Sequence, residues 1–141
     1  MNETISSWTP ELASGVRSID AGAEGLFFLL NNLFQPGVEC HQGTSACRDL
    51  GCGKIAAIRR YLVRRFAEEE RMMRASGYPD ARQHADDHAH MLTRLEALLA
   101  AHKCGQCDEA EIRQFVAAWS LDHIFARDKQ YGTWARAEST V

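Results

Sequence analysis

Hydrophobic residues recur at intervals of three and four residues along four segments of the chain. This spacing matches one face of an α-helix, which has about 3.6 residues per turn, whereas a half-buried β-strand would alternate apolar and polar residues. The pattern predicts four amphipathic helices, at about residues 18–34, 53–76, 80–103 and 108–127. Because each helix must bury its apolar stripe against another helix, the pattern indicates an all-α fold.

The connections between the predicted helices limit how the helices can be arranged. Pro36 follows the first helix, and Gly77 and Pro79 lie between the second and the third. Glycine readily ends a helix and proline cannot continue one, so these residues mark loops. Long helices joined by mostly short connections favour an up-down-up-down four-helix bundle. Residues 1–17 lack the helical pattern and are predicted to form an irregular N-terminal arm. A chain of 141 residues has the length of one domain, so residues 1–141 are predicted to form a single domain.

Length and composition are those of one globular domain. The chain has 141 residues, of which 45% are hydrophobic and 25% are charged, and its net charge is -3. Nucleic-acid binding needs an uncompensated basic surface, so this balance argues against nucleic acid as a partner. No apolar run reaches the ~18 residues that a membrane span requires, and the N-terminus lacks the pattern of a secretory signal. We therefore predict a cytoplasmic protein, and the sequence identifies no protein partner.

Polar residues interrupt the predicted apolar stripes. His84 and His88 lie four residues apart, about 40° around a helix, so both rings can reach one point. Glu69 and His123 fall on the stripes of two other helices. Burying such groups is costly unless something binds them, and a metal ion held between facing helices is one solution. The alternative is that these are ordinary hydrogen-bonded residues of the core.

Three runs of the sequence form motifs in a fixed order. The run 65–73, RFAEEERMM, is followed by GYP at 77–79 and then by the two histidines, and the run 119–131 reads WSLDHIFARDKQY. The first and last are similar to His-Phe-x-x-Glu-Glu-x-x-Met and Trp-Leu-x-x-His-Ile-x-x-x-Asp-x-x-Tyr, with Ser120 in place of the leucine. Together with an opening that contains Trp8, Gly15-Val16 and Ile19-Asp20, they resemble the bacterial hemerythrins over nearly the whole chain.

This resemblance implies a bundle that carries a non-haem di-iron centre, held in the family by five histidines and two bridging carboxylates. His84, His88 and His123 match the three histidines that bind one iron. Glu69 and Asp128 match the bridging carboxylates. Iron is favoured by the resemblance, and manganese or zinc are alternatives because they also accept mixed nitrogen and oxygen ligands.

The two histidines that bind the other iron in the family are absent. Ala23 stands at the position of one and Arg65 at the position of the other. Arg65 precedes Glu69 by four residues on the same helical face, so its guanidinium can bond Glu69, with Asp128 as a second candidate partner, near the place of the lost metal. We therefore expect one metal per chain, with Arg65 as a surrogate for the second. The alternative is an eroded site from which Arg65 extends to the surface.

The number of metals bears on function. Reversible O2 binding in the hemerythrins draws one electron from each of two irons, and a single iron lacks the second electron. We therefore predict a mononuclear protein that binds or senses a small ligand such as O2 or NO, or that takes part in redox chemistry, and we assign no catalytic residue. The alternatives are a conventional O2-binding bacteriohemerythrin with an unusual site, a metal-free interaction module and a cysteine-based redox switch.

Five cysteines fall in or beside two predicted loops. Cys40, Cys47 and Cys52 lie near the first loop, and Cys104 and Cys107 form a CxxC motif in the third. An up-down-up-down bundle places these loops at the same end, so the thiols could share a zinc site, an iron–sulfur site or a redox-active dithiol. The alternative is five reduced cysteines without a ligand, as is usual in the cytoplasm.

Overall fold

The structure is a computed structural model that describes residues 9–33, 53–101 and 109–139. Its four long helices are α1 (Arg17–Leu33), α2 (Gly53–Ser76), α3 (Ala81–Ala101) and α4 (Glu109–His123). Helix α4 continues through a π-helical turn (Ile124–Asp128) into α5 (Lys129–Ser139), and a short 3-10 helix (Pro10–Leu12) precedes α1. The described ranges contain no β-strand, so the predicted all-α fold is confirmed. No helix within these ranges combines the length and the apolar character that crossing a membrane would demand.

Neighbouring helices run antiparallel. The hydroxyl of Tyr61 in α2 donates to the carbonyl of Gly22 in α1, 2.8 Å away. One turn later in α2, Arg65 Nη2 donates to the carbonyl of Ser18, which lies one turn earlier in α1. The same reversal relates α2 to α3 and α3 to α4. These directions correspond to the predicted up-down-up-down order.

The bundle interior consists of two apolar clusters with a polar layer between them. The larger cluster includes these fully buried aliphatic side chains: Ile55, Ile58, Met91, Leu95, Ile112 and Val116. The smaller one contains Ile19, Met73, Tyr78 and Tyr131. Burying one large aliphatic side chain contributes roughly 1.5–3 kcal/mol, so the larger cluster supplies much of the driving force for folding. Along α2, Glu69 lies between Phe66 of one cluster and Met73 of the other, which places it in the polar layer.

The described part of the N-terminal arm, residues 9–16, is hydrogen-bonded to both α1 and α5. The backbone N–H and the hydroxyl of Ser14 each donate to Asp20 Oδ1 at 2.8 Å, which fixes the start of α1. The carbonyl of Ser14 accepts a 2.8 Å bond from Arg136 in α5. That carbonyl also lies directly against Gly132, where any β-carbon would overlap it. Apart from its 3-10 helix, the described part of the arm is irregular, and these hydrogen bonds hold it against the helices.

The last helix extends beyond the end predicted near residue 127 and reaches Ser139. Beyond the π-helical turn, Tyr131 and Trp134 pack on Tyr78, with ring centroids 4.8 and 5.1 Å away. The regular apolar spacing did not predict α5, because the wider turn shifts the buried positions that follow it.

Candidate metal centre

The polar layer brings together the five residues that the sequence had suggested as metal ligands. Glu69 comes from α2, His84 and His88 from α3, His123 from α4 and Asp128 from the end of the π-helical turn. All five side chains are buried, and the exposed fraction is largest for Glu69, at 7%. One ligand atom from Glu69 and one from each histidine lie within 4.8 Å of one another.

The histidine rings converge through the same ring nitrogen. His123 Nε2 lies 3.1 Å from His88 Nε2 and 3.1 Å from His84 Nε2. The i, i+4 spacing on α3 and the antiparallel approach of α4 produce this arrangement. Three nitrogens at these separations can bind a common metal ion, because metal–imidazole bonds are about 2.0–2.1 Å long.

Two outer carboxylates set the protonation of the converging nitrogens. His88 Nδ1 donates to Glu70 at 2.8 Å, and His123 Nδ1 donates to Asp87 at 2.6 Å. Because an ionised carboxylate only accepts, each Nδ1 carries a proton, and each Nε2 points inward, where it can hold a second proton or offer its lone pair to a metal ion. Facing lone pairs 3.1 Å apart repel each other unless a cation lies among them. Metal-binding histidines are typically oriented in this way by a carboxylate.

Aromatic side chains hold two of the rings in place. Phe66 stacks on His88 with ring centroids 3.7 Å apart and planes 4° from parallel. Trp119 stacks on His123 at 4.6 Å and 12°. Because stacking and the outer hydrogen bond restrict each ring from different directions, His88 and His123 are held in position by the protein itself.

The π-helical turn brings Asp128 to the histidines. In a regular α-helix, residues five apart point about 140° away from each other, so Asp128 would face away from His123. In this structure the N–H of Lys129 donates to the carbonyl of Ile124, a bond across five residues. The wider turn places Asp128 Oδ1 3.0 Å from His123 Nε2 and 3.4 Å from His84 Nε2. Such turns occur frequently at functional sites.

The two inner carboxylates are incompletely satisfied. Glu69 Oε1 lies 3.3 Å from His88 Nε2, and its Oε2 faces Arg65. In the part of the chain that the structure describes, neither Glu69 Oε1 nor Asp128 Oδ1 receives a hydrogen bond, although both atoms are buried. Leaving a buried charged acceptor without a donor is costly, whereas a metal ion would satisfy both oxygens. The donor atoms therefore fit a metal site with mixed nitrogen and oxygen ligands.

The protein's own charges also favour a cation at the centre. Burial raises the pKa of Glu69, but the adjacent rings of His84 and His88 outweigh burial and lower the pKa to about 2. Burial lowers the pKa of His123, but the carboxylates of Asp128 and Asp87 outweigh burial and raise it to about 9. For His84 burial dominates, and its pKa is lowered. Either a proton on His123 or a metal ion can supply the positive charge that the carboxylates require.

Arg65 lies on the opposite side of Glu69 from the histidines. Arg65 Nη2 is 3.9 Å from Glu69 Oε2, which is longer than the bond we had predicted. The closer partners of the guanidinium are Glu68 Oε1 at 2.8 Å and the carbonyl of Ser18 at 2.5 Å. Asp128, the second predicted partner, instead lies beside His123 and His84. Ala23 and Arg65 line a cavity of about 30 Å³ together with Glu69 and Asp128.

Some of the predicted features lie outside the described residues. These are Trp8 and the cysteines, Cys40, Cys47, Cys52, Cys104 and Cys107. The predicted zinc, iron–sulfur or dithiol site therefore stays a prediction.

Three parts of the site were not predicted from the sequence. Glu70 and Asp87 each lie next to a predicted ligand in the sequence, and an acid at that position was the available signal. The π-helical turn also had a signal, since His123 and Asp128 are five residues apart and could share a helical face only through a wider turn.

Comparison with known proteins supports the resemblance noted in the sequence. No protein-family model matches the chain. The chain is 24% identical over 131 residues to a bacteriohemerythrin of Stenotrophomonas maltophilia (strain R551-3). The alignment covers 92% of this chain and 81% of that protein, so it includes the bundle and the polar layer.

Proposed function

The chain carries a hemerythrin-like domain, and from this premise we propose that it is a mononuclear metal-binding protein. The proposed ligands are His84, His88, His123, Glu69 and Asp128. Its proposed role is to bind or sense a small ligand such as O2 or NO, or to take part in redox chemistry. Iron is the first candidate because of the similarity to a bacteriohemerythrin, and manganese and zinc suit the same ligands.

The observation that carries this proposal is the convergence of the three Nε2 atoms beside two buried carboxylate oxygens that lack donors. His123 Nε2 lies 3.1 Å from both other Nε2 atoms, and within the described ranges Glu69 Oε1 and Asp128 Oδ1 receive no hydrogen bond. A hydrogen-bonded core would leave fewer of these groups unpaired. A metal ion bound here by these residues would supply the chemistry for binding a small ligand.

The proposal of one metal per chain rests on the chemistry of Ala23 and Arg65. The alanine methyl group has no atom that can bind a metal. The arginine guanidinium has five N–H donors and no lone pair available to a metal, and it stays charged at all physiological pH values. Arg65 faces the outer oxygen of Glu69 and provides positive charge on that side, whereas the histidines face the inner oxygen.

Metal analysis tests the stoichiometry. Protein reconstituted anaerobically with Fe(II), after its cysteines have been alkylated, is expected to contain one iron per chain when measured by plasma mass spectrometry. The metal is expected at the histidines because they and Glu69 offer ligand atoms within 4.8 Å of one another, and Asp128 lies beside His84 and His123. Two metals per chain that both depend on the histidines would contradict the mononuclear proposal. The absence of bound iron, manganese and zinc would contradict metal binding altogether.

The outer carboxylate Asp87 provides a second prediction. Asp87→Asn removes the charge that orients His123, so the metal affinity is expected to fall by about 10- to 100-fold. Competition with a chelator of known affinity measures this change. The matched control is Asp86→Asn, because Asp86 is the exposed neighbour on the same helix. Equal affinities in the two variants would refute the orienting role of Asp87.

A metal-free interaction module is the second candidate, and the raised pKa of His123 favours it. With a pKa of about 9, His123 can hold a proton between Asp87 and Asp128 at neutral pH and thereby fill the centre without a metal. In that case the melting temperature would not respond to added Fe(II), Mn(II) or Zn(II). The mononuclear proposal instead requires that one of these ions raise it.

A further inference from the structure

We propose that the N-terminal arm is a positioning element of the metal centre, which holds Asp128 at the histidines through its contacts with α5. Arg136 is the positioning residue that fastens the arm to this helix. The inference rests on the proposed function, because it concerns how tightly the metal is bound. Asp128 immediately precedes α5, so its place relative to the histidines depends on how α5 is docked.

The side chain of Asp128 lacks the support that two of the histidines have. His88 and His123 are each oriented by an outer carboxylate, at 2.8 and 2.6 Å, and by a stacked aromatic ring. Asp128 Oδ1 is buried, but among the residues that the structure describes no donor bonds to it. The backbone at the start of α5 must therefore place this oxygen, and the docking of α5 fixes that backbone.

The arm contacts the face of α5 that begins at Asp128. Asp128, Gly132 and Arg136 follow one another at intervals of four residues, so they lie about 40° apart around the helix. Gly132 lies against the carbonyl of Ser14, where a β-carbon would overlap it. Arg136 Nη1 donates to the same carbonyl at 2.8 Å. One buried residue of the arm therefore meets two positions on the helical face that carries the proposed ligand.

A third contact fixes the rotation of α5 about its own axis. Lys129 Nζ donates to the carbonyl of Glu11 at 2.7 Å. Together with the contacts at Gly132 and Arg136, the arm reaches α5 at three positions over about two helical turns. A helix held at three such positions cannot rotate or slide freely. Rotation would move the carboxylate of Asp128 away from the histidines.

The arm is itself anchored to α1, so it connects the first helix with the last. Besides the two bonds from Ser14, Asp20 accepts a 3.3 Å bond from the N–H of Gly15. The N–H of Val16 donates to the Ser14 hydroxyl at 3.0 Å. Gly15 has a φ of 94°, and a β-carbon there would overlap Arg136 Nη1. This glycine therefore permits both the turn of the arm and the approach of Arg136.

Arg136→Met tests the role of the arm directly. The variant is expected to bind Fe(II) about fivefold more weakly, at the low end of the coupling usual between distinct sites. The effect is small because Tyr131 and Trp134 still pack on Tyr78 and keep α5 on the bundle. Chelator competition under anaerobic conditions, on alkylated protein, measures the affinity. Arg60→Met is the control, because it removes an exposed arginine from α2 and should leave the affinity unchanged.

A double-mutant cycle determines whether the arm acts through Asp128. Asp128→Asn removes the carboxylate and is expected to lower Fe(II) affinity on its own. If the arm only places this carboxylate, adding Arg136→Met to Asp128→Asn should lower the affinity by less than about twofold further, because the two changes remove one shared contribution. An arm that affects the metal by another route would instead produce the same loss in both backgrounds.

Hydrogen exchange of the arm provides an independent readout. Coupling between two sites is reciprocal, so bound metal should strengthen the docking of the arm by the same factor. The N–H groups of Ser14, Gly15 and Val16 report on docking because each is hydrogen-bonded. Measured by mass spectrometry, their exchange is expected to slow about fivefold when Fe(II) is added to the wild-type protein, and to stay unchanged in Asp128→Asn.

The outcomes separate this inference from the proposed function. A wild-type protein that binds no metal would defeat the proposed function itself. A metal-binding protein would overturn the role of the arm alone in any of three cases: Arg136→Met binds Fe(II) with wild-type affinity, it weakens binding equally in the Asp128→Asn background, or the exchange of the arm does not respond to metal.

Discussion

His88→Ala is expected to abolish stoichiometric metal binding. His88 Nε2 lies 3.1 Å from His123 Nε2 and 3.3 Å from Glu69 Oε1, so its loss removes a nitrogen from the middle of the ligand set. Replacing an outer partner of a ligand typically lowers affinity by about 10- to 100-fold, and loss of a direct ligand should exceed that. We expect the iron content to fall from one per chain to nearly zero under conditions in which the wild-type protein is saturated.

Thermal unfolding provides an independent measurement of the same variant. At a free metal concentration 100 times the dissociation constant, binding stabilises the native state by about 2.7 kcal/mol. The wild-type protein should therefore gain this stability on addition of metal, and the His88→Ala variant should gain none. His90→Ala is the control, because His90 is an exposed histidine on the same helix. Metal-dependent stabilisation that survives in His88→Ala would show that the metal binds elsewhere.

Gly132→Ala is expected to destabilise the fold by about 2 kcal/mol. The new methyl group would overlap the backbone carbonyl of Ser14, which is also held by Arg136 and therefore cannot move freely. Overpacking of this kind costs about 1–3 kcal/mol or more, and the roughly 1 kcal/mol that alanine gains over glycine in a helix offsets it only partly. Urea denaturation measures the change in the free energy of unfolding.

Gly22→Ala is the matched comparison for this effect. Both glycines are helical and both lie against another part of the chain, but the neighbour of Gly22 is the end of the Arg65 side chain, whereas the neighbour of Gly132 is backbone. We expect the stability of Gly22→Ala to change by less than about 1 kcal/mol, since a flexible side chain can move and alanine favours the helix. Equal losses in the two variants would mean that the clash with Ser14 is not the cause.

The fold could be predicted from the sequence because it depends on repeated local patterns. Apolar spacing located the helices, and the spacing between His84 and His88 indicated that the two rings converge. The antiparallel order followed from long helices and short loops. The apolar spacing is repeated over many residues of each helix, so one polar exception does not change the prediction.

The details of the site were harder to predict because each depends on one residue or one turn. Asp87 lies next to His88 in the sequence, but its partner is His123 of another helix, whose Nδ1 is 2.6 Å away. The partners of Arg65 depend on how closely α1 approaches α2, and this approach depends on Gly22. Such features follow from tertiary packing, which sequence periodicity does not encode.

The π-helical turn between His123 and Asp128 also determines which changes in length the last helix can accept. Deleting one of residues 124–127 would leave Asp128 four residues after His123, and a regular α-helix holds residues four apart on one face, about 40° from each other. The side chains of Asp128 and Tyr131 would then still face His123 and Tyr78. Deleting a residue from the regular winding of α5 would instead rotate the residues beyond it by about 100°. The wider turn is therefore a position at which the loss of one residue is expected to be tolerated.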